Sequence, residues 1–139
     1  MAYVSQEDKK KLSVKIKEVV KKYGYKVSLS VNHHSTLVAK IKGADDIMEE
    51  YIDVQMSPEK VAKREFENYK FDPVVVMDEY RKWDHNVNEY WISENYGEKG
   101  TAFLTELKSA MEGEDFFNHD DAMTDYFYRS HYIDIKLVA

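Results

Sequence analysis

The chain contains no cysteine. Disulfides, thiolate nucleophiles and cysteine-ligated zinc are therefore excluded, and the absence fits a reducing compartment. Only two prolines and five glycines punctuate its 139 residues. The glycines that could form a nucleotide loop, Gly97 and Gly100, lack both the lysine of a phosphate-binding loop and the spacing of a dinucleotide fold. No Gly-x-Ser-x-Gly element or metalloprotease His-Glu pair occurs. No apolar run approaches membrane-spanning length, and the N-terminal MAYVSQEDKKK lacks the apolar core of a secretion signal. The expectation is a soluble, cytoplasmic protein without a membrane partner.

What the chain does contain is apolar and acidic. Hydrophobic residues make up 43% and aromatics 14%, with 11 tyrosines, so the chain can bury a real core and is not of disordered type. Its length predicts one domain. A net charge of −6 disfavours direct binding to nucleic acid, whose phosphates it repels. Lys9, Lys10, Lys11, Lys15, Lys17, Lys21 and Lys22 nevertheless gather on the first predicted helix. Such a run reads either as a solvated helix face or as a local basic surface.

That helix is well marked. Ser5 caps it, acids follow, and Leu12, Ile16, Val19, Val20 and Tyr23 recur on one face, with Gly24 to end it. A hairpin follows. Pairing Val31 with Leu37, Leu29 with Ala39 and Val27 with Ile41 places every apolar pair on one face. The loop would be Asn32, His33, His34, Ser35 and Thr36, without glycine. Residues 47 to 54 fit helix or strand. Ser57-Pro58 opens a helix over residues 58 to 69, Asp72-Pro73 breaks or restarts the chain, and residues 74 to 82 read as a short helix or an irregular segment. A brief extended piece is expected between Trp83 and Asn88. Phe103, Leu104, Leu107 and Met111 form the stripe of a helix starting near residues 97 to 99 and closed by Gly113. A final strand alternates Ile133, Ile135 and Leu137 with Tyr132, Asp134 and Lys136. The fold class predicted is α+β: a small antiparallel sheet of three or four strands, the N-terminal hairpin plus the C-terminal strand, packed against two main helices.

Three constellations are candidates for function. His34-Ser35-Thr36 matches one His-x-Thr element of the two-histidine phosphoesterases. That chemistry needs a second such element as acid–base partner, and the sequences after His85, His119 and His131 do not supply one. Adjacent His33 and His34 on an extended backbone would point apart, so a polar loop tip is the simpler account. The second is His119, Asp120, Asp121 and Asp125, a possible divalent-metal shell. The spacing of Asp121 and Asp125 equally suits a capped helical turn, and the glycine and closing glutamate of a calcium loop are missing. The third is Trp91 with Asn95 and Tyr96, near Trp83 and Tyr90: a hot spot, or two tryptophans packed in the core.

Several phrases carry a resemblance: MAYVSQEDKKKL, KKYGYKVSLSVNHHSTLVAKIK, VNEYWISENY and DAMTDYFYRSHYIDIKL. Together they resemble small proteins of phages, plasmids and mobile elements grouped with the large polyvalent protein-associated domains. The likeness covers the two ends, while residues 44 to 82 depart from it as a longer insertion would. The matching positions include His34, Ser35, Thr36, Trp91, Asp121, Thr124, Asp125, Tyr126 and Phe127. The resemblance implies a phage or mobile-element origin and action inside a bacterial host cell. It carries no catalytic residue.

The functional expectation is a non-enzymatic protein that binds a bacterial host or phage protein and inhibits a defence or regulatory complex. Candidate binding residues are His33, His34, Ser35, Thr36, Trp91, Asp121, Asp125 and Tyr126, with no cofactor, metal or catalytic residue assigned. The alternative is a small-molecule or nucleotide-processing enzyme whose site joins the His33/His34 loop to the Asp121/Asp125 edge. A third reading is a homodimer formed through exposed tyrosines.

Overall fold

A computed structural model describes residues 5–33, 35–66, 71–113 and 131–139. The first helix, α1 (Gln6–Lys22), starts where expected: the Ser5 hydroxyl accepts from the Asp8 N–H, and the Asp8 carboxylate accepts from the Ser5 N–H. Ile16, Val19 and Val20 are its buried face. Gly24 adopts φ +83, the left-handed conformation that stops the helix and turns the chain into the hairpin.

Strands β1 (Lys26–Asn32) and β2 (Thr36–Lys42) pair in the register deduced from the apolar pattern, with Val31 opposite Leu37, Leu29 opposite Ala39 and Val27 opposite Ile41. The ladder continues one pair further than expected, to Asn32 and Thr36, which shortens the loop to residues 33–35. His33 takes the left-handed conformation (φ 52) that a glycine would normally supply, and Ser35 donates its N–H to the Asn32 carbonyl. The extended backbone assumed for the adjacent histidines therefore does not hold at His33.

The middle of the chain is helical: α2 (Asp45–Gln55), α3 (Pro58–Phe66) and α4 (Pro73–Lys82). Asp72 caps α4 by accepting from Val74, and Pro73 sits in its first turn, where the missing N–H costs nothing. Ala44, Ile47, Met48 and Tyr80 from this stretch join the same hydrophobic cluster as α1 and the sheet. A short strand β3 (His85–Val87) and one helical turn α5 (Ile92–Asn95) follow. Helix α6 (Glu98–Glu112) buries Phe103, Leu104, Leu107 and Met111 fully, and β4 (Tyr132–Val138) completes the described chain.

The α+β class holds, with six helices and four strands among the described residues. One expectation is corrected: the sheet is mixed rather than antiparallel. Its order is β1-β2-β4-β3, and β2 and β4 run parallel. The reason is the course of α6. Its first turn is held against α2, which begins where β2 ends, and its last turn meets the start of β4 through a 2.8 Å contact between His131 Nε2 and the Met111 carbonyl. Helix α6 thus carries the chain back to the end where β2 began, and β4 must run in the same direction as β2, as in any helix-linked parallel pair.

The hold on α6 comes from α2. Gly97 offers no capping side chain, and Glu50 fills the role from the neighbouring helix, accepting the Gly100 N–H at 2.9 Å. A Cβ on Gly97 would collide with the Glu50 carboxylate. One on Gly100 would lie 3.0 Å from Tyr96 Cβ, 3.2 Å from Glu50 and 3.3 Å from Ile47. Asp46 adds a second tie, accepting from Tyr25 at 2.9 Å and from Lys99 at 2.6 Å. Burial opposes its ionisation, but the hydrogen bonds from Lys99 and Tyr25 outweigh it and hold its carboxyl below the ordinary carboxylate range. Asp45 accepts from the Tyr80 hydroxyl at 2.7 Å and so ties α4 to the same helix end.

Two substitutions test this arrangement by thermal or urea unfolding. Glu50→Ala is expected to cost about 1–3 kcal/mol, because it strips a buried helix end of its acceptor, whereas Glu50→Gln, which keeps an acceptor, costs less. Gly100→Ala is expected to destabilise by about 1–3 kcal/mol through crowding, although alanine is the better helix former.

Candidate functional site

The sheet topology decides which candidate residues meet. The β1–β2 hairpin tip lies at the end where β4 begins. Thr36 pairs with Tyr132, and the Ser35 carbonyl accepts the Tyr132 N–H at 2.8 Å. Strand β3 runs antiparallel to β4, with Val87 opposite Ile135, so the chain leaving β3 heads toward that same end. There residues 88–91 turn: the Asn88 carbonyl accepts from Trp91 and the Asn88 side chain from Tyr90, both at 3.1 Å. Hairpin tip and aromatic turn are two to three strand spacings apart, roughly 10–15 Å across the sheet.

The turn is braced from beneath by α6. Lys108 Nζ donates to the Glu89 carbonyl at 3.4 Å and lies 5.3 Å from the centre of the Tyr90 ring, a cation–π contact. The indole of Trp91 is 55% exposed and Tyr90 is 61% exposed. The expectation that both tryptophans pack in the core is therefore corrected, since Trp83 is 73% exposed as well. Each tryptophan caps a helix end, Trp83 closing α4 and Trp91 opening α5, while neighbouring Tyr80 and Ile92 take the inward positions.

Of the residues singled out from the sequence, Ser35 and Thr36 meet the backbone of Tyr132, His33 lies beside them in the hairpin tip, and Trp91 sits in the separate turn toward which β3 heads at the same sheet end. His33 is exposed, and Ser35 and Thr36 are half-buried. His34, Asp121, Asp125 and Tyr126 lie outside the described residues, as do Asp120, Thr124 and Phe127 and the capped turn expected there. Among the described residues, no three histidine, aspartate or glutamate side chains converge as a metal shell would require.

A polar cluster that sequence reasoning passed over sits under β3. His85 Nε2 lies 2.7 Å from the Tyr96 hydroxyl, and the Tyr51 ring packs 4.7 Å from the imidazole and 5.6 Å from the Tyr96 ring. Burial pushes the His85 imidazole down to about 4, and burial followed by the nearby Tyr51 pushes the Tyr96 phenol up. The signal available in the sequence was period two: His85 shares a strand face with Val87, and that face turns inward. A neutral imidazole hydrogen-bonded to a phenol, enclosed by a third aromatic ring, is built to hold the sheet edge against α2 and α5.

No family model, curated protein or solved structure matches the chain. Among the described residues, no helix is long and apolar enough to cross a membrane.

The His85 cluster sets a pH dependence. The unfolded imidazole takes up a proton near pH 6.5 and the folded one only near 4. The stability associated with neutral His85 is thus complete above about pH 6.5 and drains away as pH falls to about 4, by at most about 3 kcal/mol. Urea unfolding across that window should show the slope in the native protein and a shallower one in His85→Phe. An unchanged slope in the variant would assign the effect to carboxylates instead.

Proposed function

We propose that the chain is a non-enzymatic binding protein whose partner surface is the sheet end formed by the hairpin tip, the start of β4 and the Tyr90–Trp91 turn. One observation carries the reading: Trp91 and Tyr90, adjacent in one braced turn, hold more than half of their surface open to solvent. Tryptophan and tyrosine are the residues most often found at the energetic centre of protein interfaces, because a large ring buries much area at little cost in side-chain entropy. Here the turn's own hydrogen bonds and Lys108 hold the rings before any partner arrives. Preorganisation of that kind lowers the cost of association. The polar groups of His33 and Ser35 would lie toward the rim, as interface rims generally are polar.

In this reading the partner is a bacterial host or phage protein. The resemblance to small proteins of phages and mobile elements supports a role against a host defence or regulatory complex, exercised in the bacterial cytoplasm. The net charge of −6 favours a partner with a basic surface, including one that ordinarily holds nucleic acid.

Affinity capture from a bacterial lysate tests the surface. The native chain is expected to retain a specific partner, and Trp91→Ala to bind it about thirtyfold more weakly, the loss of roughly 2 kcal/mol typical of a truncated hot spot. Circular dichroism should show the variant folded, since Trp91 contributes little to the core. Equal retention by the variant removes this surface from consideration, and the absence of any specific partner removes the binding reading itself.

A further inference from the structure

A second surface lies at the opposite edge of the sheet. Among the described residues, β1 has no neighbour on its outer side, and it runs for seven residues, against three for the other edge strand β3. Alternate residues of an edge strand direct an N–H and a carbonyl outward, ready to accept another strand. The apolar residues of β1 are unevenly covered too: Val27, Leu29 and Val31 are only half-buried, whereas their partners Ile41, Ala39 and Leu37 are fully buried.

Over this edge lies a groove of about 480 Å³, floored by Val27 and Leu29 and walled by Gln6, Lys9, Lys10, Ser13 and Lys17 of α1. These wall positions recur at helical spacing, so they form one stripe along the helix. Among the described residues, no carboxylate lies within ion-pair distance of Lys9, Lys10 or Lys17. Other cations do form ion pairs, such as Lys22 with Glu106 and Lys99 with Asp46. Among the described residues, a chain of net charge −6 thus sets three lysines without an ion-pair partner above a strand edge without a neighbour, over an apolar floor.

We propose that this groove receives an acidic, extended polypeptide segment of a partner protein, which pairs with β1 as a fifth strand. Its carboxylate side chains would fall on the α1 face, with their methylenes over Val27 and Leu29 and their charges at the lysine stripe, while the alternating apolar side chains take the opposite face. Strand addition obtains its hold from main-chain hydrogen bonds and its selectivity from alternate side chains, and the groove supplies both. Charge argues against a second copy of this chain as occupant, because two β1 edges brought together would bring two lysine stripes together. The strand edge and apolar floor argue against nucleic acid, which uses neither. The overall negative charge does not cancel the local field, since charges beyond about 8–10 Å are screened at physiological salt.

The probe is a labelled synthetic peptide of alternating glutamate and valine, titrated with the intact protein by fluorescence anisotropy. Saturable binding with a Kd below about 1 mM is expected, along with slowed amide exchange in β1. The triple variant K9E/K10E/K17E should weaken binding about tenfold or more, three exposed ion pairs being replaced by repulsions. These side chains stand outside the core, and circular dichroism verifies the fold. Backbone N-methylation of the peptide should abolish binding, and Trp91→Ala should leave it unchanged, which separates this surface from the aromatic turn. Absence of binding, equal affinity in the triple variant, equal affinity for an alternating lysine–valine peptide, or tighter binding of a single-stranded oligonucleotide would each overturn the proposal.

Discussion

The position of one carboxylate orders much of this structure. Glu50 of α2 accepts the Gly100 N–H at the start of α6, a helix whose own N-cap residue has no side chain to offer. A negative charge against the positive end of a helix is favourable wherever it occurs. Here it also fixes direction, because α2 begins at the end of β2. With α6 anchored there, its last turn reaches the opposite end of the sheet and delivers β4 parallel to β2. Gly97 and Gly100 permit the approach, since a side chain at either position would crowd the carboxylate.

From that direction follows the placement of the surface groups. A parallel β4 starts beside the hairpin tip, and an antiparallel β3 returns the chain to the same end. The polar tip at His33 and Ser35 and the aromatic turn at Tyr90 and Trp91 therefore share one end of the sheet. The lysine stripe of α1 belongs to the other edge, across the full width of the four strands. The molecule thus presents two surfaces of different chemistry, one aromatic and one basic, on an otherwise acidic chain. Their separation follows from the strand order, so each can be altered without disturbing the other.

The polar interior is concentrated around α2. Asp45, Asp46 and Glu50 reach α4, α6 and the start of β1, and the Tyr51 ring packs on His85 under β3. The described residues between 44 and 82 are thus bound into the core by both apolar contacts and hydrogen bonds. Acids in the first turn of a helix are ordinarily read as local dipole compensation. In α2 they also tie together segments distant in sequence.

Local rules made several features legible. The Ser5 cap, the α1 and α6 stripes and the hairpin register depend on contacts within a few residues or on one shared face, and period 3.6 or 2 encodes them directly. The helix–strand ambiguity of residues 47 to 54 was not resolvable that way, because Ile47, Met48 and Tyr51 fit more than one period until α6 and β3 enclose them. Burial of tryptophan failed as a rule at Trp83 and Trp91, since helix ends turn both outward. The direction of β4, and the placing of the hairpin tip and the Trp91 turn at one end of the sheet, were beyond any local signal. The sequence by itself determined the α+β class, the elements with strong periodicity and the charge of α1. Only the tertiary structure decided which way β4 runs, which aromatics face solvent and which strands form the sheet's edges among the described residues, because each depends on where a distant helix is anchored and not on neighbours along the chain.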